Sequence, residues 1–259
     1  MLKRILAFFV LMQLTIACFS EDVHQKNKVF TVGVTSFEYA PHYFMDGDRF
    51  SGFGRDVLDL FAKKSGYEFK YQPRPYVRMV KELLTGEIDF QYPDNPNWLT
   101  EQKNGHTLFY SNGVIQYIDG IIRWRSNFGK PLSTVKRIAM PRGWTPTNYL
   151  PQVRRGELII EEEDQVGAVI DMLLHNRVDG SYLNIDVANY YLESHKIFGQ
   201  IGFDPSLPYQ FSQYSLSSIL HPKIIKEFNQ FLIDSAAEIQ QIKVKYKFRF
   251  DTDPIKKRK

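Results

Sequence analysis

The 259-residue chain has a single cysteine, Cys18, and it falls within the first twenty residues. If that leader is removed, the remaining protein has no thiol, or only a lipid-modified one. Disulfides, thiolate catalysis and cysteine-ligated zinc are thereby excluded. A chain of this length can do without disulfides because it buries a sufficient core. Histidine offers no substitute metal site. His24, His42, His106, His175, His195 and His221 are scattered, with no His-Glu-x-x-His and no pair at helical spacing. No metal and no cofactor is expected. Gly-x-Ser-x-Gly is also missing, which removes the common serine-hydrolase elbow. Neither sign of charge dominates, with 33 Lys+Arg against 29 Asp+Glu, so nothing calls for nucleic acid as a partner. Beyond the leader no apolar run reaches the ~18 residues a membrane-crossing helix needs.

The leader itself is the one long apolar stretch. Lys3 and Arg4 precede an apolar run from Ile5 to Ile16, and the small residues Ala17, Cys18 and Ser20 follow. Charge, apolar run and small residues in that order make 1–20 a signal peptide, and the run is too short to span a bilayer. Cleavage after Ser20 leaves a soluble protein in the periplasm, the preferred reading. Cleavage before Cys18 leaves a lipid-anchored one, but Thr15-Ile16-Ala17 is a loose lipobox. The basic tail, 254–259, reads as a solvated end, and Glu161-Glu162-Glu163-Asp164 as a solvated face.

The segment Val29–Tyr71 carries most information. A strand (Val29–Val34) leads into Tyr39-Ala40-Pro41, a turn at Asp46-Gly47-Asp48 and a Gly52-Phe53-Gly54 step. A helix with Val57, Leu58, Leu60 and Phe61 on one face stops at Gly66, and a strand follows over Tyr67–Tyr71. This is a strand–helix–strand unit and implies an α/β fold with a mostly parallel sheet. Ligands on such sheets sit beyond the carboxyl ends of the strands. Helical periodicity recurs at Arg78–Leu84, Val166–Leu174 and Ile224–Ala237. Apolar strand-like runs lie at Ile88–Gln91, Val114–Trp124, Arg137–Met140, Glu157–Ile160 and Gly180–Leu183. The pattern Leu83-Leu84-x-Gly86-x-Ile88-Asp89 has a near copy in Leu173-Leu174-x-x-Arg177-Val178-Asp179, and two such units suggest two similar lobes.

This order of elements resembles the bacterial extracellular solute-binding proteins of family 3. The resemblance implies a type II periplasmic binding fold of two α/β lobes joined by two crossings, near Ser111–Gly113 and Tyr209–Gln213. Lobe 1 would then comprise 27–112 plus 211–253, and lobe 2 would comprise 113–210. The implied function is capture of a small polar solute, an amino acid or related compound, for an ABC-type importer. The partners would be that solute and a membrane permease, with the protein a monomer. An orphan subunit that presents its liganded state to a sensor receptor, and a small lyase or dehydratase in the cleft, are the alternatives.

The resemblance also implies site residues. Tyr39 stands where the family stacks an aromatic on its ligand, and Tyr76 where a second aromatic forms the opposite wall. Lys103 replaces the arginine that clamps a carboxylate, supplying charge without the planar fork. Asn184 replaces the aspartate that holds an ammonium, and Asp186 follows two residues on. The family's Gly-Ser/Thr-Thr anion loop reads Gly143-Trp144-Thr145, in which Gly143 and Thr145 would donate and Trp144 would stack on a ring. Arg78, and after it Arg74, are the remaining anion anchors in lobe 1. Asp94 would meet a cationic or hydroxyl-bearing group, and His42 is the one histidine worth testing as ligand or acid/base group. The departures fall together on the amino-acid anchors, which implies a changed ligand on a retained scaffold.

Overall fold

In the computed structural model, residues 28–197 and 199–248 are described; the leader and the basic tail lie outside them. The first half runs β1 (Lys28–Thr35), β2 (Phe44–Asp46), β3 (Arg49–Ser51), α1 (Phe53–Ser65), β4 (Tyr67–Arg74), α2 (Tyr76–Thr85), β5 (Phe90–Asp94), α3 (Thr100–Lys103) and β6 (Phe109–Tyr110). The second runs β7 (Ile115–Trp124), β8 (Arg137–Pro141), α4 (Leu150–Arg154), β9 (Ile159–Glu163), α5 (Val166–Leu174), β10 (Gly180–Asn184), α6 (Ile185–Ser194) and β11 (Ile201–Phe203). β12 (Gln210–Ser218), α7 (Pro222–Asp234) and α8 (Ala236–Lys245) close the chain.

The apolar patterns explain these elements. β1 is apolar on both faces near its end, because it lies between β4 and β5 and pairs in parallel with each. On α1, Val57, Leu58, Phe61 and Ala62 are buried at helical spacing. The helix ends at Gly66, whose left-handed φ of 67° lets its N–H reach the Ala62 carbonyl. Its start depends on Gly52, at φ 109°, where a Cβ would meet the Tyr43 backbone at 2.8 Å.

The strands run in the order β4-β1-β5-β12-β7-β10-β8-β9. The flanks β4-β1-β5 and β10-β8-β9 are parallel. The middle, from β5 through β12 and β7 to β10, is antiparallel, so the parallel character expected for the sheet is confined to the flanks. β12 spans both halves. Its residues Gln210–Tyr214 pair with β7, and from Ser215 on, through a register shift before Ser217, its end pairs with β5 and β6. Beside that break the outgoing chain is bonded to it: Ser111 N–H donates to the Leu216 carbonyl and Val114 N–H to the Tyr214 carbonyl, each at 2.8 Å.

The repeated Ile/Val-Asp signal does the same work in both halves. Asp89 Oδ2 accepts from the Thr31 N–H at 2.7 Å, and Asp179 Oδ2 accepts from Lys136 and Arg137 N–H at 2.7 and 2.9 Å. Each aspartate pins the strand beside it. The strand proper therefore starts one residue after each Asp, at Phe90 and Gly180. The expected single helix over Ile224–Ala237 is two helices, because Ser235 leaves helical geometry with ψ at 19°.

Candidate functional site

Tyr39 follows β1 and is fully buried. Its hydroxyl accepts a hydrogen bond from the Asn184 backbone N–H at 2.9 Å. Asn184 ends β10 and caps α6, its side-chain Oδ1 accepting from the N–H groups of Asp186 and Val187. The Tyr39 ring meets Trp144 edge-on, centroids 5.1 Å apart. Three of the expected residues, Tyr39, Trp144 and Asn184, are thus brought together across the two halves of the chain.

Tyr76 joins them through a continuous aromatic band. Its ring packs edge-on against Trp98 at 5.5 Å, and Trp98 meets Tyr214 at 5.7 Å. Tyr214 stacks on Tyr117 at 4.4 Å and approaches Tyr43 at 6.5 Å, and Tyr43 lies 5.6 Å from Tyr39. Trp98 is a link in this wall. His42 sits below it, completely buried against Tyr214 and Phe248 at 5.1 and 4.7 Å.

The charged candidates are placed differently. Lys103 Nζ bonds Asp94 Oδ1 at 2.7 Å and the Asn95 carbonyl at 2.9 Å. Asp94 also accepts from Tyr76, Ser217 and its neighbour's N–H, so its oxygens are filled. Arg78 is exposed and bonds Glu82 at 2.7 Å, one helical turn along. Arg74 bonds the same Glu82, together with Gln72 and the Pro73 carbonyl. The sequence reading sent Arg78 and Lys103 to an acidic group of a solute; here each answers an acid of the protein. Gly143 N–H donates to Glu162 Oε1 at 2.9 Å, and Thr145 is exposed with its carbonyl accepting from Thr147. Of that loop, Trp144 is the residue that reaches Tyr39. An open depression of about 270 Å³ lies beside Lys103, His106 and Tyr110, in a different place from the Tyr39 centre.

One residue was missed in the sequence. Asp119 is the one acid in β7 and lies directly opposite Asn184 on β10 and Gln210 on β12. Burial pushes its carboxyl from 3.8 up to about 8, with the Asn184 side chain opposing the rise. Burial likewise lowers the His42 imidazole from 6.5 to about 3, again moderated by Asn184. Burial first, and Asp119 next, push the Tyr39 hydroxyl well above its ordinary range. Around this centre side-chain atoms of His42, Tyr117, Tyr182, Asp119 and Asn184 are buried without a well-formed hydrogen bond, the Asn184 amide lying close enough to Asp119 and His42 to act on both. Buried polar atoms are normally satisfied, by protein, water or ligand, so this cluster makes the centre a candidate site. The sequence signal was a lone acid between the apolar pairs Tyr117-Ile118 and Ile121-Ile122.

Among the described residues no group of His, Cys, Asp and Glu side chains could hold a metal ion, and no helix is long and apolar enough to cross a membrane.

No family model and no curated protein matches the chain. Solved structures do. An ABC uptake transporter substrate-binding protein from Streptococcus pneumoniae with bound histidine shares 20% identity, with 89% of this chain and 96% of that one covered at a TM-score of 0.67. An arginine third transport system periplasmic binding protein from Legionella pneumophila shares 16%, covering 85% and 100% at 0.63. The ancestral amino acid-binding protein AncCDT-1, a precursor of cyclohexadienyl dehydratase, shares 17%, covering 84% and 95% at 0.64. These identities carry the fold and leave the ligand open, and the chain accordingly has the two-lobed α/β fold of the periplasmic binding proteins.

Proposed function

We propose that the protein is an exported, periplasmic receptor that closes its two lobes on a small polar solute and delivers it to a membrane permease of an ABC-type importer. The observation that carries this reading is the Tyr39–Asn184 hydrogen bond. It ties a loop of the first lobe to a helix cap of the second, beside a cluster of buried polar atoms without partners. A solute that satisfies those atoms favours the closed form over the open one, so binding shifts a hinge equilibrium. The lobes are 27–112 plus 211–253 and 113–210, and β12, which leaves β7 for β5 at Ser215, supports a return crossing within this strand. Tyr39, Trp144 and Asn184 contact the solute, and the aromatic band running to Tyr76 forms the wall. Lys103, Asp94 and Arg78 act behind it as structure.

The test is a thermal-shift panel of amino acids, amines, organic acids, oligopeptides and sugars on the chain from Glu21. A ligand of the folded form at a hundredfold excess over Kd stabilises it by about 2.7 kcal/mol. A shift confined to one chemical class, and lost in Tyr39→Ala, supports the receptor reading. A flat response to the whole panel counts against it.

A lyase on the same scaffold has one observation in its favour: Asp119 is a carboxyl held near neutrality in a buried centre. Recovery of the bound solute unchanged after prolonged incubation decides against that alternative.

A further inference from the structure

The charges around the buried centre are one-sided. Asp119 is the acid there, more than nine-tenths buried, and its Oδ1 has no donor. No lysine or arginine offsets it, its influences being burial and the Asn184 amide alone. The cations that could have served a carboxylate are engaged elsewhere: Lys103 by Asp94, Arg78 and Arg74 by Glu82, and Arg123 by Asp204. The walls are aromatic. The hydroxyls of Tyr39 and Tyr43 from the loop after β1, Tyr117 on β7, Tyr182 on β10 and Tyr214 on β12 all feel the Asp119 charge. The residues paired with it across the sheet, Asn184 and Gln210, are neutral amides.

A ligand must complement that field. An anion would be desolvated in a centre that holds no cation, where the proton on Asp119 is all the charge relief on offer. An α-amino acid could place its ammonium on Asp119, but its carboxylate would enter an apolar, tyrosine-lined space with no cation to answer it. A cation without a carboxylate meets none of these penalties. It pairs with Asp119 and lies against electron-rich ring faces, which attract cations.

We infer that the cleft selects a small organic cation, a protonated amine lacking a free carboxylate, with its ammonium seated on Asp119 among the tyrosine rings. This rests on the cleft-binding reading and narrows its solute class. Such a ligand also draws the proton from Asp119, because pairing with an ammonium lowers a carboxyl pKa. Binding near pH 7 is then coupled to proton release.

The experiment uses matched pairs that differ only by the carboxylate: tyramine against tyrosine, agmatine against arginine, and putrescine against ornithine. Each is titrated calorimetrically into the chain from Glu21 at pH 7, in buffers of different ionisation enthalpy. At least one amine should bind ten times or more tightly than its amino acid, with release of about one proton. Asp119→Asn, close in shape, should weaken it at least tenfold. An amino acid that binds as tightly as its amine overturns the inference and leaves the receptor reading standing. Amine binding that Asp119→Asn leaves unweakened overturns the assignment to Asp119. Silence from all six compounds removes the amine inference; a response elsewhere in the wider thermal-shift panel then preserves the receptor reading, and a flat panel removes both.

Discussion

Lys103 Nζ and Asp94 Oδ1 meet at 2.7 Å, with side-chain exposures of 6% and 0%. The ammonium is also bonded to the Asn95 carbonyl, and it holds α3 against the end of β5. Removing one partner of a buried pair leaves the other charge uncompensated, which typically costs about 3–5 kcal/mol. Lys103→Met should therefore lower unfolding free energy by that order in urea titrations. Lys103→Met combined with Asp94→Asn should recover much of the loss. An undiminished stability in the single variant would place the pair in a far more polar setting than its burial implies.

Tyr39→Phe removes one oxygen and little volume. In the closed arrangement it strands the Asn184 N–H, a loss worth about 1–3 kcal/mol when a buried donor has no acceptor. An opened cleft would solvate that N–H, so the penalty falls on closure rather than on folding. The expected outcome is a solute affinity reduced about tenfold with a small change in the unfolding midpoint. A larger radius of gyration in X-ray scattering should accompany it.

Two buried groups set an unusual pH dependence. Asp119 titrates near 8 in the folded protein against an ordinary 3.8, so the folded form keeps a proton that the unfolded chain releases. Its contribution to stability is complete below 3.8 and is lost as pH rises towards 8. His42 has the opposite sign. Its folded value near 3 lies below 6.5, so its contribution is present above 6.5 and is lost as pH falls towards 3. Between 3.8 and 6.5 the two slopes oppose one another, and from 6.5 to 8 Asp119 acts alone. Stability should fall over that last interval by up to about 1.4 kcal/mol per pH unit. Asp119→Asn should flatten it, as read from urea midpoints at closely spaced pH values.

Gly54 marks a close approach. A Cβ there would meet Tyr92 Cε1 at 2.2 Å, and Tyr92 is fully buried and cannot swing away. Gly54→Ala should destabilise by about 1–3 kcal/mol through overpacking. Pairing it with Tyr92→Leu should relieve part of the strain, which a double-mutant cycle in urea would resolve.

The strand–helix–strand opening was legible because Val57, Leu58 and Phe61 keep helical spacing up to a glycine, a purely local signal. That Tyr39, Trp144 and Asn184 belong together was legible through their positions in a familiar order of elements. The ion pairs were not. Whether Lys103 faces a solute or Asp94 depends on how α3 folds back on β5, and Arg78 meets Glu82 because a helical turn places them together. Asp119 was overlooked because its neighbours, Ile118 and Ile121, read as core. Its importance comes from cross-strand pairing with Asn184, residues far apart in the chain. The break at Ser235 was hidden inside an unbroken apolar period.

The sharing of β12 has a practical side. An excised fragment spanning 113–210 would retain β7, β8, β9 and β10 but lose the strand that pairs with β7 from Ile115 to Asp119. Its exposed edge would be long, apolar and ready to recruit a foreign strand. Anyone dissecting the protein, or splicing a fluorescent reporter into it, should leave 210–218 joined to both halves. The turn at Asp46-Gly47-Asp48, at the tip of the β2–β3 hairpin, is a safer point of insertion.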